Sequence, residues 1–213
     1  MQLILNKVTA HRGSFKLFAD NTFSRGLHLV CGAVGSGKST LALIMAGLLA
    51  PDTGVVSCPS VSTSMLSLQF PEYHITGLTL ADECRSWGVD TGKILAEEGF
   101  VARTTASPLR LSRGELKRLH LACLLANEYD MLLLDEPFSA LDCQQKEILC
   151  NRIAARNHGI TVIFTHEREI LPRFERYWEI RNGRLGYLGA DPDVLCSTIT
   201  GGWTTGNRCA CHE

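Results

Sequence analysis

The stretch Gly32-Ala33-Val34-Gly35-Ser36-Gly37-Lys38-Ser39 constrains this chain more than any other. It fits G-x-x-x-x-G-K-[ST] in full. It stands between a compact apolar run, Leu27-His28-Leu29-Val30-Cys31, and a proline-free run from Ser39 to Leu49 rich in helix formers. The first run reads as a strand and the second as a helix ending near Pro51-Asp52. Glycines let successive backbone N–H groups turn inward around an anion, and a helix start adds unpaired donors and positive potential. Lys38 is therefore expected to reach the β and γ phosphates of a nucleotide. Ser39 is expected to offer its hydroxyl to Mg²⁺, and Thr40 to contact the α phosphate. Such a loop does not choose among kinases, GTPases and ATPases.

A second feature narrows the chemistry. Met131-Leu132-Leu133-Leu134-Asp135-Glu136 reads as a buried strand ending in two carboxylates, and Pro137 fixes the turn that follows. Acids at a strand's C-terminal end can reach a ligand cradled by a neighbouring strand-to-helix loop. Successive strand residues face opposite ways, so the two acids can divide the work. Asp135 is expected to polarise the magnesium shell, and Glu136 to hold or deprotonate the attacking water.

The rest of the chain supplies a frame. Its 213 residues, 45% hydrophobic and 20% charged, suit about one α/β domain with a real core. Further strands are expected at Leu3 to Val8, Phe15 to Phe18, Gly54 to Cys58, Ser64 to Gln69 and Ile160 to Phe164. A terminal hairpin is expected about Asn182-Gly183. Residues 78–127 read mostly helical, as a subdomain inserted in a single domain spanning 1–213, and a helix is expected from Asp142 to His158. Within the helical stretch, the apolar positions of Leu116 to Leu125 form a packing face. The alternation of strands and helices argues a mostly parallel sheet covered on both faces. Phe18 and Phe23 are expected in the core, Cys31 and Cys123 as small buried hydrophobes, His28 as structural, and His120 and His158 as surface or packing residues.

Composition also excludes. Lys plus Arg is 21 and Asp plus Glu is 22, so no global basic footprint points to nucleic acid. The uncharged run from Ser39 to Pro51 is too short for a membrane span, and the first residues lack the order of a signal peptide. A chain that is soluble when isolated, with any membrane role reached through a partner, is the expectation. Nine scattered cysteines fit a reduced compartment, and Cys209-Ala210-Cys211-His212 is an incomplete soft-metal set.

Four further elements occur in the order of one family. Gln69, Leu111-Ser112-Arg113-Gly114-Glu115, Ser139-Ala140-Leu141-Asp142 and His166 join the loop and the acids. Together they resemble the Q-loop, signature loop, D-loop and switch histidine of the ATP-binding cassette (ABC) ATPases. The resemblance implies a P-loop NTPase core with a mixed, mostly parallel sheet, an N-terminal antiparallel β portion and an inserted helical subdomain. It implies ATP and Mg²⁺, and a homo- or heterodimer closed head to tail over two nucleotides. Ser112 and the Gly114 backbone would act on the partner's γ phosphate, and Asp142 would tie the two sites together. Glu136 would be the general base, His166 would hold the γ phosphate and the water, and Gln69 would sense Mg²⁺ and the γ phosphate.

Departures from the family pattern leave questions. Arg113 replaces a glycine and Glu115 a glutamine. Arg113 is expected either to add charge near the phosphates or to point to solvent, and Glu115 to favour the helix dipole. The family's adenine-stacking tyrosine is missing, which leaves His11 or Phe15 for that role. Finally, Leu68-Gln69-Phe70-Pro71-Glu72-Tyr73-His74 is similar to a stretch of the energy-coupling-factor ATPases. That implies uptake of a vitamin or a cobalt or nickel ion, with Phe70 to His74 meeting an integral membrane subunit at the cytoplasmic face. The alternative is an ATPase of another importer or exporter, or a soluble cassette ATPase.

Overall fold

The computed structural model describes residues 1–13 and 15–190. β1 (Gln2–Arg12) and β2 (Phe15–Ser24) form an antiparallel hairpin, and their alternation buries Leu3, Leu5 and Val8 against Leu17, Ala19 and Phe23. β3 (Gly26–Cys31), α1 (Lys38–Met45), β4 (Thr53–Ser57) and β5 (Ser64–Ser67) follow. A helical lobe then holds α2 (Leu80–Ser86), α3 (Thr91–Glu97) and α4 (Arg113–Leu125). The chain returns through β6 (Met131–Asp135), α5 (Cys143–Ala154) and β7 (Ile160–Thr165). It closes with the hairpin β8 (Arg176–Arg181) and β9 (Arg184–Gly189).

The described strands join one sheet in the order β4-β1-β2-β9-β8-β3-β7-β6-β5. β5, β6, β7, β3 and β8 run parallel, whereas β1–β2, β1–β4 and β8–β9 are antiparallel. This is the mixed sheet with an antiparallel N-terminal portion and an inserted helical subdomain that the sequence implies. β6 and β7 are buried at every position, as central parallel strands covered on both faces must be. Their residues alternate between two cores. Leu133, Val162 and Phe164 pack with Leu41, Ile44 and Met45 of α1. Leu132, Leu134 and Ile163 pack with Leu121 and Leu124 of α4 and with Leu149 and Ile153 of α5.

A third core holds the helical lobe together through Leu80, Cys84, Leu95, Phe100, Leu116 and Leu119. α4 therefore contributes to two cores at once and is the element that fastens the lobe to the sheet. Cys31, Cys123 and His28 are buried as expected, and His28 bonds the Ser24 carbonyl and the Trp178 indole. The group Cys209-Ala210-Cys211-His212 lies outside the described residues.

Several expectations are corrected. The helix from Ser39 ends at Met45, not Leu49: Gly47 takes φ +72° and the Leu48 and Leu49 N–H groups close back on the Leu43 carbonyl. The helix expected to His158 ends at Ala154. There Arg156 folds back to the Asn127 and Tyr129 carbonyls, and Gly159 at φ +72° presses against Asp130. Phe18 is half-buried rather than in the core, with the Arg184 guanidinium 5.0 Å from its ring centre.

Candidate active site at the phosphate loop

The loop between β3 and α1 is shaped by its glycines at two points. Gly35 (φ +79°) and Gly37 (φ +98°) take left-handed conformations that side chains disfavour. A Cβ on Gly37 would also stand 2.7 Å from the Phe15 ring, and one on Gly32 2.5 Å from Ser36 Oγ. Gly37 caps α1 without a side-chain bond, so the helix opens with its N–H groups facing the loop. Such a turn followed by a helix start is an anion cradle.

Lys38 is buried and curls back over this loop. Its Nζ donates to the carbonyls of Gly32 at 2.9 Å and Ala33 at 3.2 Å, and lies 3.5 Å from Glu136 Oε1. β6 brings up the acids. Asp135 is buried beside Ser39, and its Oδ1 has no hydrogen-bond partner. Burial pushes its carboxyl up from the usual range, against the pull of the Ser39 hydroxyl and the Lys38 charge. A hydroxyl beside a carboxylate with one oxygen unsatisfied fits Mg²⁺, whose remaining positions phosphate oxygens and water fill.

Glu136 is held most tightly. It sits at φ +48°, uncommon for a residue with a side chain, and its N–H is bonded to the Phe164 carbonyl. Thr165 Oγ1 donates to its Oε2 at 3.0 Å, and His166 Nδ1 to its Oε1 at 2.8 Å. Because β6 pairs with β7 through Asp135 and Phe164, the acids and His166 emerge together at adjacent strand ends. β5 pairs with β6 on the other side, Ser67 opposite Leu134, so Gln69 leaves the sheet beside the acids.

Beside the phosphate loop lies an open cavity of about 640 Å³, lined by Phe15, Lys16, residues 33–36, Arg168 and residues 179–183. Its size suits a small-molecule ligand. Of the two candidate stacking residues the structure brings Phe15 to this cavity. The His11 ring is instead bonded to Asp52 at 2.7 Å, and its own N–H donates to the same carboxylate. Gly32, Ala33, Val34, Gly35, Ser36, Gly37, Lys38, Ser39 and Thr40 are thus gathered with Asp135, Glu136, His166 and Gln69.

The signature and D-loop residues stand apart from that group. Ser112 caps α4 in a reciprocal pair with Glu115: the Glu115 N–H donates to Ser112 Oγ at 3.3 Å, and the Ser112 N–H to Glu115 Oε2 at 2.8 Å. Gly114 lies against the D-loop of its own chain, where a Cβ would meet the Ala140 carbonyl at 2.7 Å. Asp142 caps α5 through the Gln145 N–H. Arg113 is exposed, in keeping with the second of its two expected positions, and makes contacts within its own chain. Its guanidinium lies 5.1 Å from the Phe70 ring centre and 3.8 Å from Glu72. Glu115 also pairs with Arg103 at 2.6 Å.

Sequence reasoning missed Lys16, Arg168 and Arg181 at the cavity, and Thr165 behind Glu136. For Arg168 the one available signal is its place two residues after His166.

Comparison with known proteins adds to this geometry. A family profile described as ABC transporter matches residues 22–139. An uncharacterized ABC transporter ATP-binding protein of Mycobacterium tuberculosis is 37% identical over 66% of this chain and 22% of its own length, so the match spans about a fifth of that relative. An energy-coupling factor transporter ATP-binding protein of Thermotoga maritima is 32% identical over 89% of this chain and 82% of its own. An aliphatic sulfonates import ATP-binding protein of Paraburkholderia xenovorans is 33% identical over 72% of this chain and 65% of its own. Among solved structures, a dimeric ATP-binding cassette bound to ADP and phosphate superposes with a TM-score of 0.74 at 20% identity. That alignment covers 89% of this chain and 99% of the other.

Proposed function

This chain belongs to the ABC transporter family of ATP-binding subunits, and from that premise we propose that it hydrolyses ATP to ADP and phosphate as half of a head-to-tail dimer that drives a membrane transporter. One observation carries the reading. Glu136, buried and fixed in a left-handed conformation, presents an oxygen 2.8 Å from His166 Nδ1 and 3.5 Å from the Lys38 ammonium at the mouth of the phosphate loop.

In this reading the triphosphate enters the cradle of residues 32–40, and Lys38 exchanges the Gly32 and Ala33 carbonyls for β and γ oxygens. That exchange draws Lys38 away from Glu136 and leaves the carboxylate free to accept a proton from water. His166, half-exposed on the other side of Glu136, donates toward the γ phosphate. Ser39 and Asp135 would hold Mg²⁺, which would supply charge neutralisation at the phosphate oxygens. Ser112 and the Gly114 amide, at the head of α4, close over the partner's γ phosphate.

The membrane subunit would dock at the exposed pair Phe70 and Tyr73, which meet edge to face at 6.1 Å on the loop after Gln69. No helix among the described residues is long and apolar enough to cross a membrane, so transport through a bilayer would need such a partner. The sulfonate-import relative supports a transporter ATPase of unassigned substrate. A second, narrower reading is energy-coupling-factor uptake of a vitamin or metal ion. It is favoured by Gln69 to His74 and by the Thermotoga maritima relative, 82% of whose length is matched.

Glu136→Gln tests the core of the proposal. Turnover should fall about 10²- to 10⁴-fold, the range for loss of a general base, while ATP converts the chain to a stable dimer by light scattering. Turnover near the parent rate would remove Glu136 as the base. Co-purification from membranes with mass spectrometry of the partners separates the two transport readings.

A further inference from the structure

Three successive residues at the exit of β5 are each held by a basic side chain. Ser67 Oγ shares a hydrogen bond of 2.9 Å with His120 Nε2. The Leu68 N–H donates to His74 Nε2 at 2.9 Å, and the His74 ring stacks on His120 at 4.5 Å. Lys117 Nζ donates to the Gln69 carbonyl at 2.9 Å. His120 and Lys117 are one turn apart on the same face of α4, so that helix holds the segment at two points, Ser67 and Gln69.

Lys117 is the unexpected member. Only 1% of it is exposed, in a helix whose neighbouring positions, Leu116, Leu119 and Leu121, are core leucines. A buried ammonium is costly unless it is paired and hydrogen-bonded. Burial pulls its pKa down to about 8, and the charges of Asp135 and Glu136 oppose that pull, which sets the ammonium within reach of both acids' fields. The bond to Gln69 and those two charges are what compensate it. A leucine would pack there without either.

We propose that Lys117 is the positioning residue for Gln69: it locks the backbone at Gln69 to α4, so that the glutamine side chain meets the end of the triphosphate only when α4, with Ser112 at its head, is docked. Lys117 lies five residues along a rigid helix from Ser112, about 7.5 Å of rise. Placement of Ser112 against one nucleotide is thereby tied to placement of Gln69 against the other. The inference rests on the ATPase reading proposed above and on the role that the family resemblance implies for Gln69, sensing Mg²⁺ and the γ phosphate.

The test uses the full chain with Lys117→Met, Lys117→Arg, Gln69→Ala and the double variant. Lys117→Met should keep the Kd for ATP within about twofold, because the phosphate loop is untouched, while kcat falls about tenfold at unchanged KM. Lys117→Arg, which keeps a donor and a charge, should recover most of kcat. The double variant should be no slower than Gln69→Ala alone, the non-additivity expected of residues that act as one unit. Amide hydrogen exchange over residues 67–70 should speed up in Lys117→Met. Parent kcat in Lys117→Met, losses that multiply in the double variant, or unchanged exchange would each overturn the proposal. If Lys117→Met does not fold, Lys117→Gln takes its place under the same additivity criterion. A parent that hydrolyses ATP while these variants act additively refutes this inference alone; a parent without ATPase activity refutes the underlying reading and this inference with it.

Discussion

At the ends of β3 and β6, Lys38 and Glu136 are buried and already bonded: to the loop carbonyls, to Thr165, to His166 and to each other. At the head of α4, Ser112 is exposed and bonded only within its own capping turn. Its oxygen accepts from Glu115, and its hydroxyl proton has no acceptor among the described residues. The first region is prewired: its ammonium and carboxylate are already satisfied by groups of the same chain. The second offers a hydroxyl donor with no acceptor among the described residues, at the opening of a helix. This difference is what a site shared between two chains requires: one half binds nucleotide alone, and the other acts only after a second chain arrives.

Breaking the prewired half should have the larger effect. Lys38→Ala removes a buried ammonium from two phosphate contacts. Such a truncation costs about 2–5 kcal/mol, so ATP binding should weaken roughly 30- to 4,000-fold in a calorimetric titration. An unchanged titration would remove Lys38 from the binding site. Ser112→Ala deletes one hydrogen bond to a charged group, worth about 1.5–3 kcal/mol, so kcat should fall about ten- to a hundredfold. The Kd for ATP of the isolated Ser112→Ala chain should stay within about twofold of the parent's, since binding energy resides in the other half. Mixing the two variants sharpens the comparison. If the halves come from different chains, a mixed dimer holds one site with Lys38 and Ser112 both intact, and ATPase activity should return. Absence of recovery would place both residues in a single site of one chain.

What the sequence made legible follows the same division. The phosphate loop and the acids of β6 are contiguous runs whose stereochemistry is local: glycines at required positive φ, and a buried strand ending in carboxylates. Their neighbours follow once the parallel pairing of β5, β6 and β7 is known. Residues contributed by distant strands were opaque. Lys16 of β2, Arg181 of β8 and Arg168 after β7 share one cavity because β2, β9, β8, β3 and β7 adjoin in turn in the sheet, which no local pattern encodes. Lys117 was lost among apolar positions because its partners, the Gln69 carbonyl and the two acids, come from other elements. The contacts of the exposed Arg113 were opaque for a similar reason, since its ring and carboxylate partners come from the loop after β5.

The smallest expected effect concerns the choice between His11 and Phe15, adjacent to the hairpin bend yet divergent in their contacts. Phe15 lies at the cavity with its ring edge against Gly37, while Asp52 holds the His11 ring from β4's side of the sheet. Base–aromatic stacking is worth about 1–3 kcal/mol, so Phe15→Ala should weaken ATP binding about tenfold. Because Phe15 also props Gly37, a loosened phosphate loop could mimic that loss. Titration with tripolyphosphate, which has no base, separates the two causes: its affinity should match the parent's if Phe15 acts on adenine, and should fall in step with ATP if it acts on the loop. His11→Ala should leave both titrations unchanged, and an ATP-specific loss there would transfer the stacking role to His11.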